Sequence, residues 1–212
     1  EEYREFYAKF GRFLKEGVVI DFDHREGLSK LLRFESSMTE KGEQTSFEDY
    51  LTRAKEGQEK IYYLTGSDRA SIESGPYLEA LKSRGLEVIY FFDSIDEYLL
   101  QHLREFDGKQ LVSASSSGLE LEDDDSARHE GEPLEEDEIK GLCEFLFGEL
   151  GEEVEKVEAG KRLVNSPIAV LTPEHGMAPQ MRQMMAAMNP DEPLPPIKVE
   201  VEINARHPLI HR

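Results

Sequence analysis

The sequence contains few residues whose type and spacing could perform covalent or metal chemistry. His207 and His211 lie four positions apart, as metal ligands on a helix do, but Pro208 between them predicts two surface histidines instead. Cys143 follows Leu142 on the apolar side of a predicted helix, where we expect a buried, inert thiol rather than a nucleophile. The many carboxylates have no context that separates a general acid from a general base, and no phosphate-binding glycine loop is found. We therefore predict no catalytic residue and no metal site.

A group of methionines has a spacing that indicates binding rather than catalysis. The positions i, i+4, i+7, i+8 and i+11 of one predicted helix are Met177, Met181, Met184, Met185 and Met188. This methionine stripe holds five of the chain's 6 methionines. Flexible, polarizable methionines adapt to varied apolar partners, so the stripe is typical of a promiscuous binding surface. The same spacing is also typical of a helix that packs into its own core, and both interpretations stay open.

A second candidate surface lies on the predicted helix within residues 94–106. Ser94 and Glu97 have the spacing of a capping box at its start. The face expected to enter the core carries Ile95, Leu99, His102, Leu103 and Phe106. Core packing does not require the adjacent face, which carries Glu97, Tyr98 and Gln101. An exposed tyrosine beside adaptable polar groups predicts a recognition patch, and the alternative is a half-buried tyrosine at a helix flank.

Charge and composition limit the classes of partner. The 212 residues carry a formal net charge of −20, which argues against nucleic acid and anionic membranes as partners. No apolar run approaches the ~20 residues of a membrane-spanning helix. A single cysteine excludes an internal disulfide and favours a reducing compartment. Acids dominate residues 120–138, where only Arg128 is basic, so we predict a solvated linker at residues 119–133.

The first module, residues 1–118, has the pattern of an α/β fold. The runs at residues 60–65 and 87–92 are apolar without alternation, which predicts strands buried on both faces of a parallel sheet. Between them, Pro76 and Gly85 are typical of the start and the end of a helix. Strand, helix and strand form a βαβ unit, so we predict a small αβα sandwich with a short parallel sheet.

Two other helices of this module are predicted from spacing and caps. The first is predicted from the helical spacing of Phe6, Phe10, Phe13 and Leu14, and it is predicted to end at Gly17. The second is predicted to begin at a capping box formed by Thr45 and Glu48.

The second module, residues 134–212, is predicted to be α+β. A helix over residues 134–150 has an apolar stripe of Ile139, Leu142, Leu146 and Leu150. Residues 157–164 and 167–172 are typical of strands, and strict alternation over residues 197–203 predicts a strand with one dry and one wet face. The methionine stripe is predicted to lie between these strands.

Several stretches, in order along nearly the whole chain, resemble the ninety-kilodalton heat-shock chaperone family, in its bacterial form. The longest covers residues 50–66 and reads YLTRAKEGQEKIYYLTG. The others are IDEY at residues 95–98, EFDGK at 105–109, RLVNSP at 162–167 and INARHPLI at 203–210.

The resemblance implies a chaperone that assists the folding of non-native client proteins while an ATP cycle opens and closes a homodimer. It implies that this chain is the small αβα end of the middle domain followed by the C-terminal domain, without the last dimerisation helices. The family's nucleotide-binding domain would then lie outside the chain, so ATP and magnesium belong to the parent protein and no ATPase activity is expected here. The implied setting is the cytoplasm or, alternatively, the mitochondrial matrix. The implied partners are clients and co-chaperones, with no nucleic acid and no membrane.

The resemblance also implies roles for both candidate surfaces. The positions that match client contacts are Glu97, Tyr98 and Gln101, where a tryptophan is common in place of Tyr98. The family's amphipathic client-binding helix matches Met181, Met184, Met185 and Met188, with Met177 one turn before them. The alternative is a structural scaffold or dimerisation module, in which the methionine stripe is core or subunit interface.

Overall fold

The computed structural model describes residues 2–119, 121, 131–160, 162–173 and 198–212. The chain divides into two compact units, Glu1–Ala114 and Ser115–Arg212. The sequence places this boundary four residues later, after residue 118. Residues 115–118 belong with the second unit because Arg162 Nη1 donates to the Ser116 carbonyl at 2.9 Å and the Ser117 N–H donates to the Thr172 carbonyl at 2.9 Å. Most of the predicted acidic linker, residues 119–133, lies outside the described residues.

Short helices and strands alternate through the first unit. Its helices are α1 (Glu2–Ile20), α2 (Arg25–Lys30), α3 (Phe47–Arg53), α4 (Arg69–Glu73), α5 (Glu79–Ser83) and α6 (Asp96–His102). Its strands are β1 (Glu35–Ser36), β2 (Lys60–Thr65), β3 (Val88–Phe91), β4 (Glu105–Phe106) and β5 (Lys109–Ser113).

One five-stranded sheet forms the centre of this unit, in the order β1-β3-β2-β5-β4. β2 pairs in parallel with β3, where Tyr63 lies opposite Ile89, and in parallel with β5. The two edge strands pair antiparallel with their neighbours in the sheet, β1 with β3 and β4 with β5. The two strands predicted from apolar runs are therefore confirmed, and so is their parallel pairing. The layering of helices on both faces, an αβα sandwich, stays a prediction.

The helix α1 turns a different face to the core than its aromatic residues suggest. Its buried positions are Tyr7, Gly11, Lys15 and Val18. Phe6, Phe10 and Phe13 are exposed and lie in a row with tilted rings, whose successive centroids are 5.1 and 6.4 Å apart. The prediction that Gly17 ends this helix is wrong, because the helix continues to Ile20.

The core of the first unit is closed around Tyr50 on α3. The Tyr50 hydroxyl donates to the Glu87 carbonyl at 2.9 Å and accepts from Gln58 Nε2 and the Tyr62 N–H. Burial raises the pKa of Tyr50 to about 12, although the hydrogen bonds from Tyr62 and Gln58 lower it in part. The capping box of α3 is formed by Ser46 and Asp49, one residue later than predicted.

The second unit combines one long helix with a three-stranded sheet. Its elements are α7 (Glu136–Leu150), β6 (Val154–Ala159), β7 (Ile168–Leu171) and β8 (Val199–Ile203). The strand order is β6-β8-β7; β6 runs parallel to β8, and β7 runs antiparallel to it. The predicted strand at residues 157–164 begins three residues earlier and ends at Ala159, and the Arg162 N–H donates to Glu202 Oε1 of β8 at 3.0 Å.

The prediction of one wet face on β8 is wrong at Glu202. This side chain is buried and forms a 2.6 Å ion pair with Arg162, which is buried as well. Burial raises the pKa of the Glu202 carboxyl, and Arg162 offsets part of that rise. The pair fits because residue 160 is glycine, since a Cβ there would lie 1.7 Å from Glu202 Cδ. Alternation alone does not reveal a carboxylate that a distant arginine neutralises.

Candidate functional site

The three candidate residues of the first unit lie together on the solvent side of α6. Glu97 is exposed, Tyr98 is 40% exposed and Gln101 is half-buried. Within the described residues, no hydrogen bond or ion pair engages the side chain of any of the three. Their side chains are therefore free to bind a partner. The predicted recognition patch exists as a surface, and its role as a client contact stays a prediction.

The opposite side of α6 is fixed in the core. Leu99 and Leu103 are buried among the side chains of the central sheet, including Ile89 and Phe91. Asp96, at the first turn of the helix, is also buried. A seven-residue helix is marginal by itself, so this packing is what holds its exposed face in place.

A buried lysine attaches α6 to α1. Lys15 Nζ lies 2.7 Å from Asp96 Oδ1 and 2.6 Å from Asp93 Oδ2, and the Lys15 side chain is almost fully buried. Burial lowers the pKa of Lys15, but the two carboxylates outweigh it, so the pKa is raised overall. Burial raises the pKa of the Asp96 carboxyl, and Lys15 offsets only part of that rise. Losing Lys15 would leave the Asp96 carboxylate buried without a cation, whereas losing Asp96 would leave Lys15 paired with Asp93 alone.

The start of α6 differs from the sequence prediction. Ser94 and Glu97 form no capping box; the N-cap residue is Ile95 and has no side-chain hydrogen bond. Instead, the Asp93 N–H donates to Asp96 Oδ2 at 2.9 Å. Glu97 is therefore not used as a cap, and its side chain is exposed.

Sequence reasoning missed Lys15 and Asp96, although both position the candidate surface. The missing signal was the helical phase of α1, in which Tyr7, Lys15 and Val18 share one face. A lysine on a buried face predicts an acidic partner elsewhere in the fold. Asp96 was hidden because a carboxylate in the first turn of a helix is usually solvated.

The methionine stripe lies outside the described residues: Met177, Met181, Met184, Met185 and Met188 all fall within the undescribed range 174–197. Its roles as client surface, core or subunit contact all stay predictions.

The described part of the second unit shows an open apolar surface on α7. No residue of α7 is buried, and Phe145 is 61% exposed, with Phe147 and Leu150 also exposed. The predicted stripe is only partly covered: Leu142 and Leu146 pack against the cluster of Val154, Val201 and Ile203, whereas Leu150 is exposed.

The residues considered for chemistry do not assemble into a centre. Among the described residues, no group of three or more His, Cys, Asp or Glu side chains could hold a metal ion. His211 Nε2 lies 2.9 Å from the Ala205 carbonyl, and His207 Nδ1 accepts from the Leu209 N–H. Cys143 is half-buried, and burial raises the pKa of its thiol, which disfavours the nucleophilic thiolate.

No helix in the described ranges is both long enough and apolar enough to cross a membrane.

The chain matches known proteins along its whole length. The family model described as Hsp90 protein matches residues 1–212. "Chaperone protein HtpG" of Desulfitobacterium hafniense (strain Y51) is 47% identical over 100% of this chain and 34% of its own length. The protein of the same name from Vibrio cholerae serotype O1 is 40% identical over 100% of this chain and 33% of its own length. The protein of the same name from Desulfotalea psychrophila is 38% identical over 99% of this chain and 34% of its own length. The chain thus spans about a third of the length of the curated relatives it matches.

Proposed function

Because the chain belongs to the Hsp90 family, we propose that it is the client-binding part of an ATP-dependent chaperone that assists the folding of non-native proteins. The relatives carry the name chaperone, and this supports carrying the activity over to the present chain. ATP hydrolysis, with its magnesium, and stable homodimerisation belong to parts of the longer protein outside the 212 residues. The bacterial sources of the relatives favour the cytoplasm over the mitochondrial matrix.

Within the family, we assign the first unit to the end of the middle domain and the second unit to the C-terminal domain. The support is the order of the resembling stretches, from residues 50–66 in the first unit to residues 203–210 in the second. The methionine stripe is proposed as the second client contact.

The observation that carries the proposal is the free polar and aromatic face of α6. Tyr98 presents a large apolar ring with a hydroxyl at its tip, and Glu97 and Gln101 flank it. Since Leu99 and Asp96 fix the helix from behind, a client meets a preformed surface and binding costs little conformational entropy. Non-native segments expose apolar side chains and unpaired polar groups, and such a face offers contacts for both.

The test is the affinity of the 212-residue chain for reduced, carboxymethylated α-lactalbumin, a permanently unfolded protein, measured by fluorescence anisotropy. We expect Tyr98→Ala to raise the Kd about tenfold, the loss of one central aromatic contact. The matched control is Met38→Ala, because Met38 is 51% exposed beside the edge strand β1 and is not part of the α6 surface. An unchanged Kd for Tyr98→Ala, with the circular dichroism spectrum preserved, would contradict the proposal.

A second candidate function, a scaffold or subunit contact, is favoured by α7. A helix with no buried residue and an exposed Phe145 is typical of a surface that another protein surface covers. If this is the main role, sedimentation equilibrium will show an oligomer that Phe145→Ser dissociates. Changing Met181 and Met185 together to Ser would then unfold the unit or change the oligomer without weakening client binding. The chaperone proposal expects that this double change weakens client binding while the fold persists.

A further inference from the structure

The most exposed large apolar side chains among the described residues lie together just after α1. Ile20, the last residue of the helix, is 74% exposed, and Phe22 in the following turn is 72% exposed. Neither packs against the core of the first unit, whose nearest member along the chain is Val18. Both side chains thus present apolar surface to solvent rather than to the core.

Arg25 holds this turn in place against the end of α6. Its Nε donates to the Val18 carbonyl at 2.8 Å, and its Nη2 donates to the Val19 carbonyl at 3.2 Å. Its Nη1 donates to the His102 carbonyl at 3.4 Å. The last carbonyls of a helix lack partners within the helix and carry partial negative charge, so one guanidinium satisfies the ends of both α1 and α6.

The same guanidinium supports Phe22 and so connects it to Tyr98. Arg25 Cζ lies 4.4 Å from the centroid of the Phe22 ring, a cation–π contact. On the other side, His102 Nδ1 lies 2.8 Å from the Tyr98 carbonyl, one helical turn away. Contacts that pass through the backbone carbonyls of His102 and Tyr98 thus link the α1 turn to the helix that carries the candidate face.

Carboxylates surround this apolar path. Asp21 and Asp23 lie on either side of Phe22 in the turn, and both are outside the core; Glu97 is exposed beside Tyr98. Hydrogen bonds from the backbone and side chain of His24 lower the pKa of Asp21. Arg25 keeps its charge although helix carbonyls engage it, and the exposed Arg104 donates to the Gln101 carbonyl at 3.2 Å. The three carboxylates outnumber these two arginines, in a chain of net charge −20.

We propose that Ile20 and Phe22 extend the α6 face into one site, the Phe22–Tyr98 surface, for a non-native polypeptide segment that carries aromatic or aliphatic side chains next to lysine or arginine. This inference rests on the proposed chaperone function and adds to it the preferred chemistry of the client. Ile20, Phe22 and Tyr98 supply the apolar contacts. The carboxylates of Asp21, Asp23 and Glu97 select basic neighbours and disfavour acidic ones by charge repulsion.

The experiment uses the 212-residue chain and two short labelled peptides, both unstructured and alike in their phenylalanines and leucines, one with interspersed lysines and the other with glutamates. We expect the lysine peptide to bind at least about tenfold tighter at low salt. Phe22→Ser should weaken lysine-peptide binding about five- to tenfold, as loss of an aromatic anchor does. Met38→Ser is the matched control and should change the Kd for the lysine peptide less than about twofold.

The outcomes separate this inference from the proposed function. If Phe22→Ser leaves the Kd unchanged while Tyr98→Ala weakens binding, the site ends at α6 and the extension is wrong. If neither variant weakens binding, both this inference and the proposed function are wrong. If the lysine and glutamate peptides bind equally, the stated client chemistry is wrong. If sedimentation shows a dimer that Phe22→Ser dissociates, the occupant is a second copy of the chain and the inference is overturned.

Asp21→Asn combined with Asp23→Asn provides an independent measurement of the charge effect. Both residues lie outside the core, so the fold should be unaffected, as circular dichroism can verify. The preference for the lysine peptide over the glutamate peptide should fall about three- to tenfold, because two of the three carboxylates are removed. An unchanged preference would show that other carboxylates of this acidic chain set it, and the assignment to this surface would be overturned.

Discussion

The two units of the chain cover their apolar side chains to different extents. In the first unit, helices and sheet enclose a core that includes Phe34, Phe47, Tyr50 and Leu99, all buried. In the described part of the second unit, the cluster under α7 consists of Val154, Val201 and Ile203, with half-buried neighbours from the helix. Among the described residues, the first unit thus encloses its core, whereas the long helix of the second unit leaves apolar side chains exposed.

This difference separates two kinds of recognition surface. On α6, a small exposed patch stands on a helix whose other side is fixed, which suits a defined contact such as that of Tyr98. On α7, an entire helix face remains half-covered, which suits a larger partner surface. The contrast leads to unequal responses when matched residues are changed in the two units.

Truncation of a phenylalanine should separate the units most clearly. Phe47→Ala removes a fully buried ring that stacks on Phe106 at 4.8 Å and contacts Phe34 edge-on at 4.6 Å. We expect the free energy of unfolding of the first unit to fall by about 3–5 kcal/mol. Phe145→Ala, at an exposed ring of α7, should change that of the second unit by less than about 0.5 kcal/mol. Urea unfolding followed by hydrogen exchange resolves the two units; equal effects would contradict the comparison.

The stability of the second unit should depend strongly on one ion pair. Arg162→Met leaves the buried Glu202 carboxylate without its partner and frees the carbonyls of residues 116 and 117. Such a loss costs about 3–4 kcal/mol, and urea denaturation should show it in the second unit only. Adding Glu202→Gln should restore part of the stability because the unpaired charge is removed. A double variant no more stable than Arg162→Met would argue against the charge as the cause.

Alkaline pH should destabilise the first unit through Tyr50. Because the folded-state pKa of about 12 lies above the ordinary value of 10.0, Tyr50 makes its full contribution to the free energy of unfolding below pH 10. It is lost as the pH rises through 12, and by about pH 11.5 it has fallen by about 2 kcal/mol. The measurement is the unfolding free energy of the wild type relative to Tyr50→Phe, at pH 9 and near pH 11.5. A difference that does not change with pH would contradict this account.

The smallest effect on stability is expected at the recognition face itself. Tyr98→Ala should alter the unfolding free energy of the first unit by less than about 0.5 kcal/mol, since the side chain makes no hydrogen bond within the described residues. Leu99→Ala, its buried neighbour on the same helix, should cost about 2–5 kcal/mol. Thermal denaturation of the two variants provides this test of a helix with one fixed and one free side. Similar losses for both would mean that Tyr98 is structural.

Local patterns predicted the elements that side-chain periodicity alone identifies. The non-alternating runs gave β2 and β3 with their parallel pairing, and the alternation of Val199, Val201 and Ile203 gave β8. The exposed face of α6 was predictable because Leu99 and Leu103 identify the opposite side. These inferences need only the side-chain periods of helix and strand.

Long-range partners explain what the sequence did not reveal. The core face of α1 carries Lys15, whose partner Asp96 lies far along the chain, while Phe6, Phe10 and Phe13 stay exposed. The boundary of the second unit depends on Arg162, which binds carbonyls more than forty residues earlier in the chain. The Phe22–Tyr98 surface likewise depends on Arg25 joining two helix ends that no local pattern connects.

The central claim is that the exposed face of α6 contacts non-native protein. Photo-crosslinking tests it most directly, with p-benzoylphenylalanine in place of Tyr98 and, as control, in place of Met38. The account predicts that position 98 crosslinks reduced, carboxymethylated α-lactalbumin but not the same protein in its native, disulfide-bonded form, and that position 38 crosslinks neither. Absence of a crosslink at position 98, or equal crosslinking to the native form, would contradict it.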